Sequence, residues 1–454
     1  MNLRTTPLRK FVSVAASASI AATSFVTIVA PAVAPAISTA ATTCVQEQGS
    51  TTVYPALVNA QPNYQGAIVN NAWPTGTKLG CDTALVANGS GAGKTALMAY
   101  YVQGGGTVVD MAASSSPLSG STTPSETSNL MAFQVGGDAM VIAVRSDNPV
   151  SQITMAEVTG IYNGEVTAWS QLSNANGKTG NIVPRARISG SGTRDDMNRL
   201  FKMDRGTVDA AGHKVSCSSG FTTCEPDVID ATGLPRMTTS QEEADAVCNS
   251  VNAMVYTSLA NLALYGPGTA GCGGGFTLKA LSLQSCSYAS FTGSAVNNPI
   301  ALPCSGSFVA PSISSAGVSG AYPAKRQLFL TLPKISVAAL KFGNGNGTGW
   351  TDQIGLTKAE DVINYMSSTQ GQASVNAVGF IQVPVAAKQP IPDADIDLNG
   401  GIGLTDIGQI TGRWNTVQTI PGSIRADVDN NGGVGLSDIG KITGQWGNVG
   451  FVAP

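Results

Sequence analysis

The chain is almost without histidine: His213 is the only one in 454 residues. Any Ser-His or Cys-His mechanism would have to run through that single imidazole, and a histidine-rich metal centre is excluded. His213 lies in a stretch rich in Gly, Lys and Ser, and is expected at the surface. Charge is scarce as well, at 12% of residues, and aromatics make up 6%. No basic stripe exists, so nucleic acid is not an expected partner. Cys-x-x-Cys pairs are absent, which removes the common zinc spacing. Past the N-terminal region, no run is long and apolar enough to cross a membrane.

Gly, Ser, Thr and Ala are abundant instead, as in an exported protein. The net charge of −3 is unevenly placed. Residues 393–454 hold seven Asp against Arg413, Arg425 and Lys441, which leaves the rest of the chain close to neutral. Residues 1–43 read as a secretory signal. Arg4, Arg9 and Lys10 precede an uncharged run from Phe11 into an Ala/Pro-rich end, with small-x-small sites at Ala32-Val33-Ala34 and Ser38-Thr39-Ala40. An uncleaved anchor is the alternative, since Phe11–Ala30 could span a bilayer. The expected location is periplasmic or extracellular, with no membrane span after cleavage. Eight cysteines suit up to four disulfides in an exported chain. Six of them lie within residues 217–304, so that region is expected to be stapled and loop-rich. Pairing cannot be read from spacing; Cys44–Cys81 and Cys217–Cys224 are suggested by proximity alone.

The most informative stretch is Asn181–Phe201, NIVPRARISGSGTRDDMNRLF. It reads as a strand with Ile182 and Val183, a turn broken by Gly190 and Gly192, then a helix with Thr193 and Asp196 as a capping box. A helix start exposes unpaired N–H groups and a partial positive charge, which suits an anion. Arg187 adds a permanent cation with a fork of donors, and Ser191 and Thr193 add hydroxyls. The same pattern, an apolar strand ending in Ser, Thr and Gly before a helix, occurs at 50–54, 88–94 and 113–119. In the third of these, Pro117 suits a first helical turn. Strand ends that open onto helix starts are where open α/β sheets bind ligands. The segment at 88–95 comes close to a nucleotide P-loop, but Asn88 stands where the first Gly should be, so a serine hydroxyl at a helix start is the better reading. The apolar runs 133–144 and 322–333 are long strands, suited to crossing between two lobes.

Taken together, GSTTVYP, NGSGAGK, ASSSPLS, the segment Asn148–Leu172, SGSGTRDDMNRLF, YPAKRQLFLTL and GFIQVP resemble, in order, the phosphate-binding proteins of phosphate ABC transporters (PstS-type), including DING-type relatives. The resemblance covers roughly residues 45–385. It implies an α/β, two-lobed periplasmic-binding-protein fold (type II) with crossing strands. Lobe 1 would comprise residues 44–137 and 322–384, and lobe 2 residues 138–321 with the Cys-rich insert. Carried over by motif, the phosphate-binding residues would be Thr51, Thr52, Val53, Ser90 and Ser115 from one side, and Arg187, Ser191, Gly192 and Thr193 from the other. Two positions depart from the family. Ser115 stands where transport members have an Asp that accepts the phosphate proton, and a hydroxyl can accept or donate. Ser189 stands where some relatives have an Asp orienting the Arg.

After a linker at 385–392 comes a repeat. Asp395, Asp397, Asn399 and Asp406 recur 32 residues later as Asp427, Asp429, Asn431 and Asp438, with Gly401 and Gly433 placed to ligate through their carbonyls. Oxygens at loop positions 1, 3, 5 and 12 with a turn Gly at 6 make a calcium loop. Each loop is followed by a helix, Leu404–Trp414 and Leu436–Trp446, with Ile407, Ile410 and Trp414, and Ile439, Ile442 and Trp446, on one buried face. Residues 393–450 resemble a dockerin type I domain, all-α, which implies two calcium ions and a cohesin-like partner. Gly408, Gly412, Gly440 and Gly444 weaken the helices, so folding is expected to need the ions. The function expected is non-enzymatic: a monomer binding inorganic phosphate for uptake or scavenging, with an ABC permease as a further partner. The alternatives are a DING-type phosphomonoesterase and a surface-assembly protein acting through the dockerin-like tail.

Overall fold

The computed structural model describes residues 44–64, 78–79, 86–201, 203, 206–209, 212–217, 234–265, 272–285, 304, 306–317, 320–334, 359, 362–383, 394, 396, 401–415, 426–428 and 433–447. The expected signal at 1–43 and the expected linker at 385–392 lie outside these. Among the described residues, no helix is long and apolar enough to cross a membrane.

The backbone of the fold is a seven-stranded mixed sheet. Its strands are β1 (Glu47–Gly49), β2 (Met111–Ser114), β3 (Leu130–Arg145), β4 (Val183–Arg185), β5 (Ala253–Ser258), β6 (Leu278–Ala280) and β7 (Lys325–Pro333). Their order is β1-β2-β7-β3-β5-β4, with β6 pairing on β3. β1 runs parallel to β2 and β4 parallel to β5, while β7 and β5 both lie antiparallel to β3. The 16-residue β3 is buried along nearly its whole length, as a strand covered on both faces must be, and its sequence is accordingly an almost unbroken apolar run. Its first part pairs with β7, from Leu130 against Pro333 to Ala139 against Lys325. Its last part pairs with β5 and β6. The two long apolar runs of the sequence are therefore the shared strands of the molecule.

Separate apolar clusters form around the two ends of this pair. The first is built by α1 (Tyr54–Tyr64), α2 (Ser90–Tyr101) and α6 (Thr369–Ala377) against β1, β2 and the start of β3, with Leu57, Leu97, Met111 and Leu330 fully buried. The second gathers α3 (Met155–Tyr162) and α4 (Gly192–Phe201) against β4, β5 and the end of β3, around Trp169, Met197 and Tyr256. Burial of each large apolar side chain stabilises by about 1.5–3 kcal/mol, so each cluster is a core in its own right.

Local chemistry sets the helix starts. Ser50 Oγ accepts the N–H groups of Thr52 and Val53 at 3.2 and 3.3 Å, which caps the entry to α1. Thr154 and Glu157 form a reciprocal capping box at α3, and Thr239 and Glu242 do the same for α5 (Ser240–Cys248). Gly49, at φ +148°, ends β1 so close to its neighbour that a Cβ would lie 2.1 Å from the Ala113 oxygen, and no other residue fits. Two expectations change here. Thr193 sits inside the first turn of α4 instead of capping it, because its hydroxyl is held elsewhere. No helix follows Pro117; the next helical turn is Glu126–Asn129, with the chain between them bonded through its serines.

Cys248 and Cys272 form a disulfide that ties α5 to the loop before β6, and Cys304 is also disulfide-bonded. Cys81 and Cys224, the partners suggested by proximity for Cys44 and Cys217, lie outside the described residues.

In the tail, α7 (Leu404–Thr411) and α8 (Leu436–Gly444) pack through Ile410 and Ile442, with Ile396, Ile402, Val428 and Val434 in the same cluster. Both helices end before their tryptophans. Trp414 and Trp446 are 42% and 49% exposed, against the expectation of one buried face. α7 ends at Thr411 with Gly412 as its cap, so Trp414 lies beyond the helical face.

Candidate oxyanion site

The four Gly-Ser-Thr turns converge. From the first cluster come Thr51, Thr52 and Val53 before α1, Ser90 at the start of α2, and Ser115 after β2. From the second come Arg187 after β4 and Ser191, Gly192 and Thr193 at the start of α4. Thr52 Oγ1 lies 3.2 Å from Thr193 Oγ1, and Arg187 Nη2 donates to Thr51 Oγ1 at 3.2 Å. Ser90 Oγ accepts from the Ser115 N–H at 3.0 Å and lies 3.3 Å from the Ser115 hydroxyl. The Gly91 N–H donates to the Gly190 carbonyl at 2.9 Å, joining the α2 turn to the α4 turn. A Cβ on Gly192 would meet Ser90 Oγ and Ser115 Oγ at 2.3 and 2.4 Å, so glycine is required for the approach.

All of these residues are buried except Thr51, which is half-buried. Three of them have backbone amides that are already bonded within the protein. The amides of Thr52 and Val53 are bonded to Ser50 Oγ, and the Ser191 N–H donates to the Ile188 carbonyl at 3.3 Å. Their part in the site is therefore through position and, for Thr52, the hydroxyl.

Arg187 is fixed on every side. Its Nε donates to Met237 O at 3.1 Å, Nη2 to Thr238 O at 2.9 Å, and Nη1 to Glu243 Oε1. Its own backbone N–H donates to the Tyr256 hydroxyl at 2.7 Å. Glu243, from α5, is itself held by Thr257 and Asn261. This carboxylate orients the arginine, a role that Ser189 cannot fill.

A second arginine lies beside the first four turns. Arg326, on β7, is fully buried and pairs with Asp138 of β3 at 2.6 Å and with Asp196 of α4 at 3.5 Å. Its Nη1 donates to Thr193 Oγ1 at 3.1 Å and its Nη2 to Thr52 Oγ1 at 3.4 Å. Burial works against its charge, but Asp138 and Asp196 outweigh that and hold the guanidinium above its ordinary range. Burial also pushes the Asp138 and Asp196 carboxyls up, against the neighbouring arginines. The 2.6 Å contact holds Arg326 and Asp138 as an ion pair. Sequence reasoning missed Arg326, Asp138 and Glu243. A signal existed for Asp138, a lone acid within the long apolar run of β3, since a buried charge must be paired.

His213 is not a free surface residue. Its Nε2 lies 3.1 Å from Asp195 Oδ2 and its Nδ1 3.6 Å from Asp209 Oδ2. Asp195 also accepts from Ser116 Oγ at 3.3 Å, and Asp209 from Ser121 Oγ at 2.7 Å and from Ser119 Oγ. Burial lowers the imidazole, but the Asp195 charge and both carboxylate contacts raise it to about 10. Lys94, the lysine of the near P-loop, is buried and bonded to Glu126 at 2.9 Å and to the Pro117 carbonyl, so it presents no charge to a phosphate.

Of the expected calcium ligands, Asp395, Asp397, Asn399, Asp429 and Asn431 lie outside the described residues. Asp406, Asp427 and Asp438 are buried, and Gly401 and Gly433 half-buried. Asp406 accepts from the N–H groups of Ile396 at 2.7 Å and Gly403 at 2.8 Å, and Asp438 from Gly435 at 2.7 Å. The last carboxylate thus braces its own loop. Carboxylates and carbonyls are the donor types that a hard cation such as calcium takes; of those expected, the described residues are Gly401, Asp406, Asp427, Gly433 and Asp438.

Several solved structures resemble the chain. An ABC-type phosphate transport receptor from Vibrio cholerae is 17% identical, with 75% of this chain and 100% of that chain covered and a TM-score of 0.45. A phosphate binding protein from Stenotrophomonas maltophilia is 18% identical over 76% and 92%, with a TM-score of 0.46. PstS from Borrelia burgdorferi is 19% identical over 75% and 99%, with a TM-score of 0.38. No curated protein matches the chain. A family profile described as a PBP superfamily domain matches residues 13–339, well over half of the sequence, and the chain belongs to that family.

Proposed function

We propose that this chain is a non-enzymatic binding protein for a tetrahedral oxyanion, with inorganic phosphate as the first ligand to consider. The two apolar clusters act as the lobes that close on it. The observation that carries the reading is the meeting of the four turns. Hydroxyls from α1, α2 and α4 lie within hydrogen-bond distance of one another or of Arg187. A ring of hydroxyls with a fixed guanidinium stabilises an anion and offers no obvious nucleophile–base pair. The lone histidine is bound by two carboxylates instead of a serine, which speaks against the phosphomonoesterase alternative. The motif resemblance supports phosphate uptake or scavenging outside the cytoplasm, in company with an ABC permease.

For the tail, we propose two calcium ions held by Asp395, Asp397, Asn399, Gly401 and Asp406, and by Asp427, Asp429, Asn431, Gly433 and Asp438. They would fold the domain for docking on a cohesin-like module. Calorimetric titration with phosphate, sulfate and arsenate tests the first proposal: heat with at least one is expected, lost in Arg187→Ala. No heat with any of them refutes it.

A further inference from the structure

We propose that Arg326 is a positioning residue that turns ring hydroxyls into donors, so that each proton on the oxyanion weakens binding and the site takes sulfate as well as phosphate. The inference rests on the oxyanion reading above and concerns the ligand class of that same site.

A hydroxyl has one hydrogen and two lone pairs, and can face a ligand either way. Here a neighbouring N–H decides the orientation. Arg326 donates to Thr52 Oγ1 and Thr193 Oγ1, and Arg187 donates to Thr51 Oγ1. A guanidinium has no acceptor, so these three hydroxyls cannot aim their hydrogens at it; Thr52 and Thr193, 3.2 Å apart, spend one hydrogen on each other, and the remaining hydrogens turn away from the arginines. Ser90 Oγ accepts from the Ser115 N–H and is turned in the same way, onto Ser115 Oγ or onto a ligand.

An O–H group on the ligand would need an acceptor. The carboxylates next to the arginines are already engaged: Glu243 by Arg187, Thr257 and Asn261, Asp138 and Asp196 by Arg326. Asp195 is taken by His213 and Ser116. Among the described residues of the site, a ligand proton therefore meets no unengaged carboxylate, only hydroxyl oxygens such as Ser115 Oγ, and a poorly accepted buried donor of this kind weakens binding by about tenfold.

The test is calorimetric titration of the full chain with phosphate and with sulfate, at about pH 5 and about pH 8, on either side of the second ionisation of a phosphate group. Sulfate keeps one protonation state over this range, so its pH dependence reports on the protein alone, whose charged groups around the site are Arg187, Glu243, Arg326, Asp138, Asp196, Asp195 and His213. The phosphate-to-sulfate ratio then isolates the ligand proton. Sulfate is expected to bind at least as tightly as phosphate at about pH 5, and the ratio should move toward phosphate by about tenfold at about pH 8. Arg326→Lys, which cannot hold both threonine hydroxyls, should weaken sulfate at least about fivefold more than phosphate; a purely structural role would weaken both alike. The wild-type measurement stands even if this variant does not fold. Phosphate bound more than about a hundredfold tighter than sulfate at both pH values overturns the inference while leaving the oxyanion reading intact. No heat with either anion overturns both.

Discussion

Replacing Gly192 by Ala should uncouple ligand binding from folding. The added Cβ would lie 2.3 Å from Ser90 Oγ, 2.4 Å from Ser115 Oγ and 2.8 Å from Ser90 Cβ. The hydroxyls can swing aside, but Ser90 Cβ cannot. Comfortable carbon–carbon contact starts at about 3.5 Å, so the start of α2 would have to retreat by about 0.7 Å from the start of α4. Overpacking of that kind costs about 1–3 kcal/mol. That cost falls on closure, and it corresponds to roughly a tenfold to hundredfold loss of phosphate affinity. The ligand-free protein should not suffer. Gly192 belongs to α4, where Ala is favoured over Gly by up to about 1 kcal/mol. The assay pairs calorimetric titration with thermal unfolding, with and without phosphate. Affinity within about twofold of the wild type would refute the placement of Gly192 at the closing contact. A large drop in the ligand-free midpoint would show instead that the contact belongs to the fold.

Further outcomes follow from the same geometry. Glu243→Gln removes the counter-charge of Arg187 and should weaken phosphate by about tenfold or more, read by titration, with Glu243→Asp partly restoring it. The raised His213 pKa stabilises the folded state fully below its ordinary value of 6.5 and ceases to do so as pH rises through about 10. Thermal midpoints of the wild type should therefore fall over that window relative to His213→Gln, by the equivalent of about 1–2 kcal/mol once solvent at this partly exposed side chain is allowed for. Glu47 shows the opposite chemistry. Burial raises it to about 8, against the Ala113 N–H that it accepts, so ionisation destabilises the folded state as pH climbs from 4.5 through 8. Glu47→Gln should flatten that slope and be the more stable protein at alkaline pH in chemical denaturation. Removing calcium with a chelator should unfold the tail and leave phosphate binding unchanged, as read by circular dichroism and titration.

The parts of the site that were legible in the sequence are those written in consecutive residues. Gly-Ser-Thr turns at strand ends carry their own signature, so Thr52, Ser90, Ser115 and Thr193 could be named before any contact was known. The shared strands were legible for the same reason, since a strand covered on both faces must be apolar throughout. Asp138 stood out as a charge in an apolar run, but its partner Arg326 was hidden because the pairing spans 188 residues of chain. Glu243 sits on an ordinary capped helix, and nothing local distinguishes it from a solvent-facing glutamate. The tail shows the reverse failure: periodicity placed Trp414 and Trp446 on a buried face, but glycines end both helices too early for the period to apply.

The two repeats of the tail are also tied at their ends. The Asn415 N–H, just past α7, donates to the Val434 carbonyl in the second loop at 3.0 Å, and the Gly447 N–H, just past α8, donates to the Ile402 carbonyl in the first at 3.3 Å. Each half thus finishes the other. Cutting the chain before Gly447 would loosen the loop at the far end of the repeat as well as the near one, and the pair should melt, and take up metal, as one body.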